Sequence, residues 1–530
     1  DFKKYSMRMN LDGKYKRLKF GLNFSPSYST SNRVDASGSN GIVQSALMMP
    51  PVWPVYNADG SYNYQGNGYW RIGNDYQHNA VLNSVAMANL QSDVVDRMAI
   101  VGKVFAELEL YKGLTYNISF GGDYYGSHND QYRSSELPLL GQKYYDVKSN
   151  PTAYSSSGFY FNWLVENKIN YNTTIKDAHS INVVLVQSAQ KETYKGDNVT
   201  ATDFPNDYIQ TISGGTVTKG ASDKTQWTIA SYLARMQYSY KGKYMASAAI
   251  RADGSSRFAP DKRWGWFPSV SAGWSISEEP FLKKAAGWLD MLKLRVSYGT
   301  LGNNATSTFY MYQPLYASAN YVLGNAVASG LAQTTLANPN LTWETTHMTN
   351  IGLDYGLFAH RLSGSVDVFN RLTTDILISL PAPLEHGTSA VPNQNAGKVR
   401  NRGIDFDISW FDHIGSMTYS LGFHMGYVRN KVTKFQGEVP SINGVYKLQE
   451  GKPINQLYVM SVDRIVRDQS DLDYVQSLVD KNPDYFATYQ RPELGDFLYA
   501  DANHDGNLDD RHDSRPHGQL LLSGDHQHLA

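Results

Sequence analysis

The sequence predicts an all-β protein, a transmembrane antiparallel β-barrel with long external loops and short periplasmic turns. Two observations predict this fold. Apolar and polar residues alternate with a period of two over several runs, and short and long polar breaks alternate along the whole chain. Together they indicate about fourteen strands, joined in pairs by about seven short turns.

The period-two alternation is the first of these signals. It is clearest over Leu18–Phe24, Tyr116–Tyr124, Tyr232–Tyr240, Ile351–Leu357, Ile404–Trp410 and Leu421–Tyr427. Each run predicts a strand with one apolar face and one polar face. Several runs last about ten residues or more, the length that a tilted strand needs to cross a bilayer. Strands of soluble proteins usually have about five or six residues.

The order of the breaks is the second signal. Short breaks are expected at Asp12–Lys14, Lys112–Gly113, Ile175–Ala178, Lys241–Gly242, Ala359–His360 and Phe411–Gly415, with a longer one at Glu278–Leu289. Long polar breaks are expected at Ser29–Asp96, Ser127–Gly158, Lys191–Thr225, Ala252–Trp264, Leu301–Leu341, Thr373–Arg400 and after Asn430. A transmembrane barrel produces this order, and nothing forces it on a soluble β-sandwich.

Composition narrows the function classes. Charged residues make up 18% of the 530, below the ~25% of an average soluble chain, and the formal net charge is −1. This balance predicts no nucleic-acid partner. The absence of cysteine excludes a disulfide scaffold, cysteine catalysis and thiolate metal sites. No apolar run is long enough for a transmembrane helix, and no signal-peptide pattern follows Asp1.

One short amphipathic helix is predicted over Asp468–Lys481. Leu472, Val475, Leu478 and Val479 share a face at helical spacing, and a proline follows the segment. We expect this helix to pack inside a loop and to have no function of its own.

Four long segments resemble one protein family. They are Arg251–Lys283, Asn338–Gly356, Asn395–Trp410 and Gly495–Asp510, the last with the sequence GDFLYADANHDGNLDD. They resemble the SusC-type (RagA-like) TonB-dependent outer-membrane transporters of the Bacteroidetes. The segments occur in the order of the family, so chance similarity is a poor explanation.

The resemblance implies a 22-stranded barrel in the outer membrane, closed around an N-terminal plug. It also implies a SusD-type surface lipoprotein as a lid, energy from the TonB–ExbB–ExbD complex, and uptake of an oligosaccharide or a peptide. We expect residues 1–510 to form a partial barrel domain without the plug and the N-terminal extension. Residues 511–530 form an anomalous tail that does not match the terminal strands of the family. The chain is accordingly expected to be an internal fragment.

The segment D-x-N-x-D-G predicts a calcium loop. Its candidate ligands are Asp501, Asn503, Asp505, Asn507 and Asp509, spaced as in an EF-hand loop with Gly506 at the sharp turn. The twelfth position is a histidine and not the usual glutamate, and no helices are predicted on either side. The alternative is an Asx-rich turn held by its own hydrogen bonds. A calcium ion here would order an external loop and have no catalytic role.

Three other groups of residues are candidates for binding. One external loop contains Arg251, Asp253, Arg257, Asp261, Lys262 and Arg263, for which an ion-pair network is favoured over a substrate contact. Another contains Trp53, Tyr56, Tyr62, Tyr64, Asn67, Tyr69, Trp70 and Tyr76, which suit either a glycan or a protein partner. Polar inward positions of strands are Arg235, Asp354, Asp367, Asp405 and Asp407.

Two other functions compete with transport at this point. A secreted or surface all-β carbohydrate-binding protein would also have alternating strands and aromatic loops. A β-rich glycoside hydrolase would use a pair of carboxylates. Acid pairs such as Glu107 and Glu109 exist, but alternate residues of a strand share a face in any case. No nucleophile or metalloprotease motif is present, so no catalytic residue is assigned.

Overall fold

The computed structural model describes residues 1–33, 41–64, 70–72, 75–77, 82–138, 149–282, 287–306, 309–378, 392–436, 441–443, 445–509 and 514–516. No helix in these ranges is both long enough and apolar enough to cross a membrane. The described chain is dominated by long strands, as the period-two alternation predicts.

The first part of the chain contains β1 (Phe2–Ser6), β2 (Met9–Tyr15), β3 (Leu18–Asn32), β4 (Trp70–Ile72), β5 (Asp75–Gln77), β6 (Gln91–Tyr111), β7 (Leu114–Arg133), β8 (Thr152–Ile175), β9 (His179–Thr202), β10 (Thr216–Tyr240), β11 (Tyr244–Ser255) and β12 (Trp264–Ser275). The second part contains β13 (Leu289–Asn303), β14 (Leu315–Leu323), β15 (Ala326–Thr335), β16 (Glu344–Leu357), β17 (Leu362–Ile378), β18 (Gln394–Ile414), β19 (Met417–Phe435), β20 (Ser441–Asn443), β21 (Tyr446–Leu448), β22 (Gln456–Met460), β23 (Val462–Ile465), β24 (Phe497–Tyr499) and β25 (Ser514–Pro516). The helices are α1 (Ile42–Met48), α2 (Ser84–Asn89) and α3 (Gln469–Lys481), with short 3-10 turns at Ile212–Gly214 and Ile276–Glu278.

One antiparallel sheet of 15 strands contains β1–β3, β6–β13 and β16–β19. Because β1 and β2 pair with successive parts of β3, they occupy a single strand position. The sheet therefore has the number of positions that the sequence predicts. Its strands reach 25 residues in β10, far beyond the length of a soluble strand.

The described chain divides into two compact units. The first comprises Asp1–Thr173, Asn182–Ala234 and Ala252–Ser256, and in it β3 pairs with β6, β6 with β7, and β7 with β8. The second comprises Thr174–Ile181, Arg235–Arg251 and Arg257–Ala530. In it the strands from β12 to β19 in the main sheet pair in chain order, skipping the separate hairpin of β14 and β15.

Most of the short turns lie where the sequence predicts them. The turn after β6 needs Gly113, which has φ +80° and approaches the backbone so closely that a Cβ would lie 2.1 Å from the carbonyl oxygen of Asn172. Two predicted turns are displaced. Asp12–Lys14 lies inside β2, and the chain turns instead at Lys16, which adopts φ 54°. Phe411 lies inside β18, and the turn falls at Gly415.

The long breaks are shorter than the sequence predicts. β9 runs to Thr202 and β10 begins at Thr216, although Lys191–Thr225 looks like a continuous polar break. The same strand extension occurs at the ends of β3, β6, β7 and β8. Strands that continue past a bilayer contact water on both faces and lose the alternation on which the prediction depends.

Small apolar cores anchor the segments outside the main sheet. In the first unit, Leu82, Ala86, Met87 and Leu137 form one core, and Tyr132, Ala153, Ala201 and Phe204 form another. In the second unit, α3 confirms the predicted helix. Asp468 caps it by accepting a hydrogen bond from the amide of Asp471, and Val475 is fully buried against Val466 and Leu498.

Candidate functional site

The strand register of the second unit separates an apolar face from a polar face. Val296 of β13 faces Ile351 of β16, and Val368 of β17 faces Ile404 of β18, which in turn faces Tyr427 of β19. Along each strand, the residues that alternate with these apolar ones are polar and point to the opposite face. Large apolar side chains on the first face remain exposed, including Leu421, Phe423 and Met425 of β19. Such a face is suited to lipid and the opposite one to a hydrated interior.

The polar face carries a cluster of charges that we call the inner cluster: Lys293, Arg295, Asp354, Asp367, Asp405, Asp407 and His424. Its centre is Arg295 of β13. The guanidinium binds Asp354 in a bidentate manner, with Nε–Oδ2 at 2.8 Å and Nη2–Oδ1 at 2.6 Å. It also contacts Asp367, with Nη2–Oδ2 at 3.0 Å and Nη1–Oδ1 at 3.2 Å. One cation therefore bridges carboxylates on two further strands.

Gly352 makes this bridge possible. It lies opposite Arg295 in the register, and Asp367 lies opposite Gly352 on the next strand. A Cβ at Gly352 would lie 2.5 Å from Asp367 Oδ1 and 2.7 Å from Arg295 Nη2. Because the glycine has no side chain, the arginine can lie across β16 and reach β17. A bulkier residue would occupy the space that the guanidinium needs.

The remaining acids of the inner cluster lie on β18. Asp405 is the direct cross-strand neighbour of Asp367, and Asp407 contacts the imidazole Nδ1 of His424 on β19. Like charges placed directly opposite each other destabilise a sheet, so the nearby Arg295 offsets a repulsion between Asp367 and Asp405. The four carboxylates outnumber the two permanent cations, Lys293 and Arg295. This face therefore has an acidic surface, in which Arg295 holds Asp354 and Asp367 and His424 contacts Asp407.

The family model described as TonB dependent receptor-like, beta-barrel, matches residues 4–512. The chain belongs to this family. It is a β-barrel receptor of the outer membrane, and the matched relatives are receptors and not enzymes. The apolar face is accordingly the lipid face, and the inner cluster faces the interior of the barrel.

The receptor's relatives include SusC-type proteins. It is 32% identical to a TonB-dependent receptor of Formosa agariphila over 387 residues, 71% of this chain and 36% of the relative. It is 28% identical to the TonB-dependent receptor SusC of Bacteroides thetaiotaomicron over 462 residues, 82% of this chain and 44% of that protein. These matches confirm the resemblance that the sequence motifs carry.

A solved structure with the same fold is that of the RagAB peptide transporter. The TM-score is 0.74 at 23% identity, over 88% of this chain and 51% of that one. This similarity confirms the predicted all-β barrel architecture. The chain spans about half or less of the length of the relatives and the solved structure that it matches.

The receptor's predicted inward residues are partly brought together. Asp354, Asp367, Asp405 and Asp407 lie on neighbouring strands of the polar face. Arg235 lies on β10, where it donates a hydrogen bond to Gln237 at 2.5 Å. Arg295 is not among the predicted inward residues, although it alternates with the apolar residues Leu294 and Val296 and so occupies a polar position of the strand.

Several contacts order the charged external loop, and the predicted ion-pair network stays a prediction. Arg257 lies over the ring of Phe309, 4.7 Å from its centroid, and donates to the carbonyl of Asn304 at 3.1 Å. The carbonyl of Arg263 accepts a hydrogen bond from the indole of Trp343 at 2.8 Å. Asp261 and Lys262 form an exposed pair at 3.6 Å. These contacts favour a structural role for the loop.

The aromatic loop separates into packed and exposed residues. Tyr62 and Tyr64 pack against the core around Leu137, and burial raises the pKa of Tyr64 to about 12. Tyr56 packs against Tyr62 in a tilted arrangement, with ring centroids 5.3 Å apart, and remains 48% exposed. Tyr56 is thus placed to contact a ligand. Asn67 and Tyr69 lie outside the described residues, as do the side chains of Trp70 and Tyr76.

The predicted calcium loop is closed by its own hydrogen bonds. Asp501 accepts from the amides of His504 at 2.6 Å and Gly506 at 2.9 Å, and Asn503 accepts from the amide of Asp505 at 2.9 Å. Within the described part of the chain, no group of three or more acidic or imidazole side chains is arranged to hold a metal ion. Calcium binding at Asp501, Asn503, Asp505, Asn507 and Asp509 stays a prediction.

Most of the anomalous tail lies outside the described residues. Of residues 511–530, only 514–516 are described, and they form β25, which pairs with β22 and not with the main sheet. The division into a barrel domain at 1–510 and a tail at 511–530 stays a prediction.

Proposed function

We propose that this chain forms part of the barrel wall of an active importer for a bulky nutrient in the outer membrane. In this proposal the complete protein is a SusC-type transporter, covered by a SusD-type lipoprotein and driven by the TonB–ExbB–ExbD complex. The observation that carries the proposal is the two-faced register. A lipid face and an acidic inner face are the requirements of a wall around a hydrated passage.

The inner cluster suits passage of a polar solute. Arg295, Asp354 and Asp367 hold one another in place on three strands, so the interior surface keeps a fixed pattern of donors and acceptors. A neutral, hydroxyl-rich solute can exchange hydrogen bonds with such a surface without bringing an uncompensated charge into it.

We favour an oligosaccharide over a peptide as the solute. Exposed aromatic rings outside the membrane-spanning part of the chain support this choice, since sugar rings stack on aromatic faces and amides bind hydroxyls. Tyr56 and Tyr208 are 48% and 92% exposed, and Tyr321 of the β14–β15 hairpin is 72% exposed. Asn57 lies beside Tyr56 and orders this loop, since its side-chain amide donates to Ser61 and to the carbonyl of Tyr62.

Uptake by cells tests the proposal. A strain that lacks the gene is compared with the parent for uptake of fluorescent oligosaccharides and of fluorescent peptides of similar mass. Loss of oligosaccharide uptake alone, restored by the gene and abolished in a strain without TonB, would support the proposal. Loss of peptide uptake alone would show that the imported solute is a peptide and not an oligosaccharide. Unchanged uptake of both, with the protein present in the outer membrane, would contradict import.

A further inference from the structure

A cleft of about 740 Å³ lies on the lipid face of the first unit. Its side chains come from five neighbouring strand positions of β3 and β6–β9 and from β10. They include Tyr28, Met98, Tyr124, Phe159, Lys195 and Lys224. The register places Tyr28, Met98, Gly126 and Phe159 in one row across β3, β6, β7 and β8. The same face carries Ile100, Val104 and Phe120 nearer the short turns, so the cleft belongs to the outside of the barrel.

The height of the cleft matches the outer boundary of the bilayer. The apolar band on this face runs from Tyr111, opposite Leu114 of β7, to Ile100 on β6. This is about 33 Å along the strand, which a strand tilt of about 40° reduces to about 25 Å, the height of a lipid-facing band. Asp96 and Met98 follow on the side that leads to the long external connections. The cleft therefore begins where the acyl chains end and the headgroups of the outer leaflet lie.

The floor of the cleft is formed by a glycine between aromatic rings. Gly126 has no side chain, and a Cβ there would lie 2.8 Å from the hydroxyl of Tyr124. The rings of Tyr124 and Phe159 stack with centroids 6.1 Å apart. The two rings, inclined at 27° to each other, give this part of the cleft an apolar aromatic floor on which the face of a sugar ring can lie.

The rim of the cleft supplies charges of both signs. Lys195 lies over the ring of Phe159, with Nζ 6.0 Å from its centroid, which places Lys195 on the cleft face. Lys195 and Lys224 make no ion pair within the described residues. Asp96 accepts a hydrogen bond from Tyr28 at 3.0 Å and keeps a second oxygen for a ligand. Two lysines suit a phosphate, and the carboxylates suit hydroxyl donors.

We infer that the cleft binds the headgroup of a phosphorylated glycolipid of the outer leaflet. The phosphate lies between Lys195 and Lys224, a sugar ring covers Tyr124 and Phe159, and the acyl chains continue along the apolar band. This site is on the outside of the barrel, so it is separate from the solute passage of the proposed function. Lipid binding is measured directly, and its outcome does not depend on which solute is imported.

Native mass spectrometry of the full receptor, purified in detergent and titrated with diphosphoryl lipid A, tests the inference. We expect Lys195→Ala and Lys224→Ala each to weaken binding about fivefold, and the double variant about 30-fold. Lys168→Ala is the matched control, because Lys168 lies opposite Asn117 on the polar face of β8. Gly126→Leu fills the floor without changing a charge and is expected to weaken binding as well.

Four results would overturn the inference. The first three are unchanged affinity in the double variant, equal affinity for dephosphorylated lipid A, and competition by inorganic phosphate alone at millimolar concentration, which would indicate a soluble anion site. The fourth is that phosphatidylglycerol binds as tightly as lipid A, which would show that the cleft does not recognise a sugar. The double variant Lys195→Arg with Lys224→Arg retains both charges and should bind lipid A as the wild type does. Heat-modifiable gel mobility shows whether each variant is folded, so that lost binding is distinguished from lost folding.

Discussion

Arg295 and Asp354 form a two-point salt bridge between β13 and β16, with N–O distances of 2.6 and 2.8 Å. The two residues are not direct partners in the register, since Arg295 lies opposite Gly352. The arginine therefore spans a diagonal and reaches Asp367 as well. This arrangement holds two of the four inward acids, Asp354 and Asp367, in fixed positions.

Replacing Arg295 by methionine is expected to lower the free energy of unfolding by about 1 kcal/mol, since partly exposed ion pairs contribute little individually but Asp367 and Asp405 then repel across strands. The measurement is the temperature at which heat-modifiable gel mobility is lost. Adding Asp367→Asn to the variant should recover part of the loss. Full stability of the single variant would show that the cluster has no part in holding the strands.

Gly352→Ala tests the close approach of Arg295 to β16. A Cβ 2.5 Å from Asp367 Oδ1 cannot be accommodated without moving the salt bridge, so we expect a loss of about 1–3 kcal/mol in the free energy of unfolding. Gly220→Ala is the control, because a Cβ there meets only the carbonyl of Asn198 at 3.9 Å. Equal behaviour of the two variants would mean that the space beside Gly352 is not used.

Asp207 makes the external end of β7 sensitive to acid. It accepts hydrogen bonds from the Tyr132 hydroxyl at 2.6 Å and from the Ser135 hydroxyl at 2.6 Å and amide at 3.0 Å. Burial opposes the charge, but the hydrogen bonds from Ser135 and Tyr132 outweigh it and leave the pKa of Asp207 below its usual value of 3.8. The stabilisation is therefore complete above that value and is lost as the pH falls through the lowered pKa.

Hydrogen exchange of residues 132–137 checks this dependence. We expect protection to be constant from neutral pH down to about pH 4 and to fall at lower pH, after correction for the intrinsic exchange rate. Asp207→Asn should give low protection at every pH. A wild-type profile without a step, or a variant that keeps the step, would assign the acid sensitivity to another group.

Calcium binding at the Asp501 loop has a direct test by isothermal titration. If the prediction is correct, calcium at about 100 times its dissociation constant should stabilise the loop by about 2.7 kcal/mol, provided that only the folded loop binds. The double variant Asp501→Asn with Asp505→Asn should abolish the heat of binding. Asp480→Asn, on the exposed side of α3, should not. Absence of binding at millimolar calcium would leave the Asx turn as the account of this segment.

The sequence was most informative where the environment changes from one residue to the next. Inside a bilayer, one face of a strand contacts lipid and the other contacts water, so Leu421, Phe423 and Met425 must alternate with polar residues. Periodicity also located α3, because Val475 and the other apolar residues of this helix have helical spacing and share one buried face. Beyond the bilayer both faces contact water, and the ends of β9 and β10 around Lys195 and Lys224 could not be distinguished from a loop.

The sequence by itself determined the strand character, the two faces, the alternation of turns and loops, and the family to which the chain belongs. These are properties of local periodicity and of long ordered motifs. Only the tertiary structure decided that Arg295 crosses Gly352 to reach Asp367, and that Lys195 lies over Phe159 in a cleft that Lys224 also lines. Such contacts depend on the register between strands far apart in the chain, and local alternation does not specify which residues will lie opposite one another.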